Sequence, residues 1–221
     1  MEDSIKNELQ KKYSKSKFLY FIHLGARYIK DLYHPTGKKP FVIGVKNQVP
    51  SRLPEGMKVF IYGNNNRILI DPSIKIYKAY IELGDNQTPI HNCTISIGEG
   101  SSSNGIVITL FEDNSFVKIG KNCMFSWGIN IFASDTHAIY HKDTKELLNW
   151  GREIVIEDHV WLGMNTTILK NTHIAKNCIV GAGAVVSGQF NEENCIIAGN
   201  PARIVKKNIN WDGARPKEWR K

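Results

Sequence analysis

The chain has no apolar run approaching the roughly 18 residues that a membrane-spanning helix needs. Its first residues, MEDSIKNELQ, are charged and polar, unlike the apolar stretch of a secretory signal. Four cysteines, Cys93, Cys123, Cys178 and Cys195, are scattered without a C-x-x-C pair. That spacing argues against a zinc site and against a disulfide framework. It fits reduced core thiols in a cytoplasmic protein. Phosphate loops and dinucleotide fingerprints are missing: GEGSSSNG, at 98–105, is glycine-rich but lacks the lysine and the spacing. No Ser-His-Asp order and no metal-ligand cluster is present, so no metal is expected. Basic and aromatic residues are not interleaved as in nucleic-acid modules, so nucleic acid is not an expected partner.

Charge of either sign is scarce in the middle of the chain and concentrated at its ends. The net charge is +8. Residues 1–40 hold nine Lys/Arg against four Asp/Glu, and residues 200–221 hold seven against two. The middle is therefore close to neutral. Basic ends flanking a neutral body point to anionic partners: cofactor phosphates, an acidic glycan or a membrane surface. Simple solubility is the plainer reading.

What the sequence does have is a period of six. Ile156, Leu162, Ile168, Ile174, Val180 and Val186 recur without a slip. Two residues before each stands a second member of the series: Ile154, Val160, Thr166, Thr172, Cys178 and Ala184. An α-helix repeats its apolar face at 3.6, and an isolated strand has no reason to reset every six residues. A fixed short period means a solenoid, and the hexapeptide is the signature of a parallel β-helix. Earlier pairs continue it less regularly: Ile68/Ile70, Ile74/Ile76, Ile95/Ile97, Ile106/Ile108, Val117/Ile119, Cys123/Phe125 and Ile129/Ile131. Turn-rich GDNQTPIHN and GEGSSSNG are expected to protrude between them.

The next inner pair after Ile131 would be Asp135 and His137. Two polar residues there cannot continue a dry core. The chain is therefore expected to leave the wall, run through residues 137–153 as a loop, and re-enter at Ile154. The domain reading is an N-terminal helical element over 1–40, a β-helix over 41–205 starting in earnest near Val59–Ile61, and a basic tail over 206–221. The broad apolar stripe of Phe18, Leu19, Phe21, Ile22, Tyr28, Ile29, Leu32 and Tyr33 favours a helix packed on the end of the solenoid. A basic helix resting on an anionic membrane is the alternative.

VWLGMNTTILKNTHIAKNCIVGAGAVVS followed by IIAGNPARIVKKNINW, with SDTHAIY upstream, resembles the hexapeptide-repeat acyltransferases. The likeness extends to the bacterial sugar and polysaccharide O-acetyltransferases, including the sialic-acid O-acetyltransferases of capsules. It is strong from Ile119 to Trp211, loose from Ile61 to Lys118 and absent over the first forty residues. Parallel crossovers are normally right-handed; the left-handed coil expected here comes only from the resemblance. So do the acetyl-CoA co-substrate, the carbohydrate acceptor and the homotrimer with donor between subunits.

That chemistry makes three demands. A base must take the proton of a hydroxyl, a donor should face the thioester oxyanion, and a long anionic cofactor needs a groove. His137 is the expected base, because imidazole is the side chain that titrates nearest neutrality. Asp135 or a main-chain carbonyl is expected to orient it. His141 is the reserve, and His159 and His173 are expected to be solvated. Trp161 should point out of the wall, either to a subunit contact or to the donor's pantetheine arm beside His137. Gly163, Gly181, Ala182 and Ala184 are small enough to let a thin ligand approach. Arg203 and Lys206, with Lys207, follow the repeat where the phosphates would leave it. N-acetylation of an amino sugar and a catalytically silent scaffold are the rival functions.

Overall fold

The computed structural model describes residues 39–219; the expected N-terminal helix lies outside them. Hexapeptide pairing is realised as a three-faced parallel β-helix. The first face stacks strands Phe41–Ile43, Met57–Tyr62, Ala79–Leu83, Ile106–Leu110, Ile129–Phe132, Thr167–Leu169 and Val185–Val186. The second stacks Arg67–Ile70, Thr94–Ile97, Phe116–Ile119, Glu153–Ile156, Thr172–Ile174 and Gln189–Phe190. The third stacks Lys75–Ile76, Ser102–Ser103, Met124–Phe125, Trp161–Leu162, Ile179–Val180 and Ile196–Gly199. Strand Ala202–Lys206 then pairs antiparallel with Ile196–Gly199.

The reason for the period is visible in the burial. Ile154, Ile156, Val160, Leu162, Thr166, Ile168, Ile174, Cys178, Val180 and Val186 are fully buried, and Thr172 and Ala184 nearly so. Each inner side chain sits above the equivalent one a coil below, as Ile156 above Ile119 and below Ile174. Burial of each aliphatic side chain is worth about 1.5–3 kcal/mol. Desolvation raises the Cys123 thiol to about 11, so it behaves as a small apolar group. Between faces the chain must bend sharply, and asparagine takes left-handed φ at many corners, among them Asn65, Asn92, Asn114, Asn165, Asn171 and Asn177. Asn65 donates to Asn92 at 3.3 Å and Asn92 to Asn114 at 3.1 Å, a short amide ladder along the corner between the first and second faces.

Two expectations are corrected and a third is refined. The β-helix begins a partial coil earlier than Val59, because Phe41–Ile43 pairs in parallel with Phe60–Tyr62 and Gln48 bridges to Arg67. GEGSSSNG does not protrude. It supplies a coil of the wall, with Ser101 and Ser103 in inner slots. The Ser101 hydroxyl donates to the Gly120 carbonyl at 3.0 Å and accepts from the Cys123 amide at 3.1 Å, which makes its burial tolerable. GDNQTPIHN does bulge, but Ile90 within it folds back into the core, and Asn66 donates to the Ile90 carbonyl.

Candidate active site

The wall opens once within its regular part, at the corner between the first and second faces. Ala133 is still a buried wall position and Glu153 already a strand residue, so the excursion spans 134–152. Its two feet are held from the coil below by one carboxylate: Ser134 Oγ and the Gly151 amide both donate to Glu112, each at 2.7 Å. The coil above holds it too. Asn171 accepts from the Arg152 amide at 3.0 Å and donates to the Trp150 carbonyl at 2.9 Å. A Cβ at Gly151 would fall 2.2 Å from the Ala133 carbonyl oxygen, so only glycine closes the loop.

Within the loop, residues 139–148 form a small hairpin. Tyr140 bridges Leu147, and the Leu148 amide donates to the Ile139 carbonyl. His141 is spent on that turn: its Nδ1 accepts from the amides of Asp143 and Thr144. Asn149 ties the hairpin to the catalytic candidates. Its amide donates to Asp135 at 2.9 Å and to the His137 carbonyl at 2.8 Å, and its oxygen accepts from the Ile139 amide at 2.8 Å. His137 is exposed, and its ring has no hydrogen-bond partner among the described residues.

Asp135 does not orient that ring. Its carboxylate is bound by Lys170 Nζ and Asn149. The lysine, then the amide, hold its pKa below the ordinary carboxylate value. Asp135 thereby anchors the SDTH turn to the coil above, and neither Asn149 nor Lys170 carried a signal in the sequence that would have found it.

Trp161 stands outward between buried Val160 and Leu162, as its place in the repeat requires. It lies on the third face, across the prism from the corner that carries the loop. One chain therefore does not bring His137 and Trp161 together in the way the sequence reading joined them. What covers Trp161 in its own chain is Trp211, with ring centroids 6.0 Å apart. Trp211 in turn stacks on His159 at 4.1 Å and donates its indole N–H to the His159 carbonyl at 2.9 Å. The tail is thus docked, through Trp211 and through paired bonds between Asn194 and Ile209. His159 and His173 are not simply solvated. His159 Nδ1 pairs with Asn177 at 3.0 Å, and His173 sits between Glu157 at 2.8 Å and Asn191.

Beside the outward column of Trp161, Ile179 and Ile196, the third face ends in a second column that is nearly bare. Gly163, Gly181 and Ala198 succeed one another along it, and a Cβ on Gly181 would already touch Ala198 at 3.1 Å. Ala182 is exposed at the next corner. Ala184 is corrected: it is 1% exposed, because it occupies an inner slot of the repeat, and it cannot line a groove. Beyond this strip, Arg203 and Lys206 are exposed and have no acidic partner among the described residues. Lys207 does have one, Glu192 at 2.7 Å, so it is committed elsewhere. A flat strip ending in two unneutralised cations fits a thin ligand with phosphates at one end. No cluster of metal-ligating groups occurs among the described residues.

Comparison with known proteins agrees with the coil. Residues 153–188 match the family model described as bacterial transferase hexapeptide (six repeats). A polysialic acid O-acetyltransferase of Neisseria meningitidis is 35% identical over 191 residues, which cover 76% of this chain and 86% of that protein. The chain belongs to the hexapeptide-repeat acetyltransferases. Another member, a putative lipopolysaccharide biosynthesis O-acetyl transferase, WbbJ, of Escherichia coli (strain K12), is 50% identical over 167 residues, covering 66% of this chain and 82% of the relative. The crystal structure of the polySia specific acetyltransferase NeuO superposes with a TM-score of 0.65 at 25% identity, covering 83% of this chain and 92% of that one. As in other hexapeptide-repeat acetyltransferases, the parallel coil is left-handed. No helix among the described residues is long and apolar enough to cross a membrane.

Proposed function

We propose that the chain transfers the acetyl group of acetyl-CoA to a hydroxyl of a bacterial surface polysaccharide or its precursor, a sialic-acid polymer being the class named for two of its relatives. The observation that carries the reading is the loop 134–152. It is anchored at both feet, braced by Asn149, and presents the His137 imidazole without a partner among the described residues. A base held ready in this way takes the hydroxyl proton on a ring nitrogen as the oxygen attacks the thioester carbonyl; the C–S bond then breaks, and the imidazolium returns the proton to the departing CoA sulfur. Acetyl-CoA supplies the activated acyl group. Gly181 and Ala182 offer it a surface of small residues, Trp161 an aromatic wall, and Arg203 and Lys206 a counter-charge for its phosphates.

Because His137 and Trp161 lie on opposite sides of one prism, a complete site requires the loop of one copy against the third face of another. That supports a homotrimer with the donor at subunit boundaries. The outward apolar residues Ile139, Tyr140, Leu148 and Trp150, each more than half exposed, suit such a contact. Use of acetyl-CoA supports a cytoplasmic location. The basic tail serves as a second handle on anionic donors or surfaces.

The test is turnover of His137→Ala with acetyl-CoA and a polysialic acid acceptor. A loss of roughly 10²–10⁴ is expected, the usual worth of a general base, with acetyl-CoA affinity unchanged. Near-native turnover removes His137 from the role. Light scattering checks the assembly: a fully active monomer excludes the shared site.

A further inference from the structure

Thr136, the residue before His137, has φ +62°. Most of the non-glycine residues with left-handed φ are asparagines, and among the described residues Thr136 is the only β-branched one. Two heavy atoms on its Cβ crowd such a backbone, so the conformation is a genuine outlier. The His137 amide donates to the Asp135 carbonyl at 2.8 Å, an i to i+2 bond that closes a γ-turn centred on Thr136. With positive φ this is the rare and strained form of that turn. Such strain persists only where the surroundings over-determine it.

Here the constraint is a relay from the coil below. Ser134 Oγ accepts from the Thr136 amide at 2.9 Å and donates to Glu112 at 2.7 Å. The other oxygen of Glu112 accepts from the Gly151 amide at 2.7 Å, so one carboxylate is shared between the turn and the far foot of the loop. Glu112 is fixed in turn from the core. Its carbonyl accepts from the Ser115 hydroxyl at 2.7 Å and from the Cys93 thiol at 3.2 Å, and both of those residues are buried. On the loop side, Thr136 Oγ1 donates to the Asp135 carbonyl at 2.6 Å and Asn149 donates to the His137 carbonyl.

We propose that Glu112 is a positioning residue for acetyl transfer: through Ser134 it holds Thr136 in the strained turn, and the turn sets the direction of the His137 imidazole. The proposal rests on the role of base given to His137 above. Glu112 acts through Ser134 and Thr136 and not on the reacting atoms. Without the relay, Thr136 falls back to the negative φ that a β-branched residue prefers. The residue that follows then swings by more than the ångström that already costs up to about a hundredfold in rate. What the relay needs is hydrogen-bond reach and not charge. A glutamine can keep the Gly151 bond with its oxygen and donate its amide to Ser134, whose oxygen has a second lone pair for the Thr136 amide. Glutamine should therefore preserve the turn, and alanine should not.

The experiment measures turnover and KM with acetyl-CoA and a polysialic acid acceptor, and hydrogen exchange of residues 134–138 by mass spectrometry, all on the full chain. Glu112→Ala should lower turnover by about tenfold to a hundredfold, leave the KM for acetyl-CoA native and speed exchange. Ser134→Ala should do the same. It lies outside the coil and leaves Gly151 on Glu112, so it decides the matter if Glu112→Ala does not fold. Glu112→Gln should recover most of the turnover. Glycine adopts positive φ without strain, so in a Thr136→Gly background the relay has less to hold, and adding Glu112→Ala there should cost no more than about a few-fold. An equal loss in both backgrounds, the additive result, makes Glu112 a plain staple of the loop and overturns the proposal. Native exchange and turnover in Ser134→Ala overturn it too, as does a Glu112→Gln no better than Glu112→Ala. Native turnover in His137→Ala removes the base and with it the function given above, while the exchange rates still decide whether Glu112 and Ser134 hold the turn.

Discussion

The side-chain amide of Asn149 donates to the main-chain carbonyl of His137 at 2.8 Å, across twelve residues of loop. The same amide reaches Asp135 and its oxygen receives Ile139, so one side chain fixes both strands of the turn that presents the base. Asn149→Ala should lower turnover by on the order of tenfold to a hundredfold, the cost of a base misplaced by about an ångström. Acetyl-CoA affinity should stay as it is. Steady-state kinetics with donor and acceptor varied in turn check this, and a variant with unaltered turnover shows the loop is braced without Asn149.

The Asp135–Lys170 pair gives the loop an acid limit. The folded-state pKa of Asp135 lies below its ordinary value of 3.8, chiefly through Lys170 and then Asn149. A depressed carboxylate contributes stability above its unfolded pKa and loses it as pH falls through the folded one. Loop order should therefore persist down to about the ordinary carboxylate value and fail only below it. In Lys170→Met the failure should move to higher pH. Limited proteolysis within 134–152 across the acid range reads the difference; coincident profiles for native and variant proteins refute the tie.

Trp211 touches His159 by stacking and Trp161 at an angle. Its removal frees the Trp161 indole to change rotamer. Trp211→Ala should raise the KM for acetyl-CoA several-fold, while Trp211→Phe, which keeps a ring but loses the bond to the His159 carbonyl, should recover most of it. A recovery by Phe no better than Ala points to the indole N–H instead of the ring.

Arg203 and Lys206 are expected to act as counter-charges and nothing more. The double variant Arg203→Gln, Lys206→Gln should raise the KM for acetyl-CoA and leave saturated turnover near native, the pattern of lost uniform binding. Salt should weaken donor binding in the native protein more than in the variant, since exposed charges are screened. Titration of CoA at two ionic strengths decides it.

The coil was legible because an inward position admits so few side chains. Every inner residue named from Ile154 to Val186 is buried, down to Thr166, whose hydroxyl bonds the Gly163 carbonyl at 2.6 Å. The break at Asp135 and His137 was legible for the opposite reason, two polar groups where the core required none. Ser101 and Ser103 were read as loop because small polar residues in inner slots look like turns; the bonds of Ser101 to the next coil reveal why that serine stays inside. Asn149 acts across the loop, and Lys170 and Glu112 act between coils, at separations of 12 to 39 residues that leave no trace in a six-residue period. The same limit separated His137 from Trp161. Spacing along the chain assigns each to a coil, but the side of the prism depends on how many residues each corner takes.

Antiparallel pairing of Ala202–Lys206 with Ile196–Gly199 has a further consequence. A stack of coils is an open-ended template, since its last strand offers unpaired N–H and C=O groups to any strand that arrives. On the third face the chain fills that vacancy with its own reversed strand, which carries Arg203 and Lys206 and continues into a tail bolted down by Ile209 and Trp211. The turn that ends the solenoid thus works as a stopper against head-to-tail polymerisation. The cations that the donor's phosphates would meet sit on it, so resistance to fibre growth and capture of the donor share one short segment.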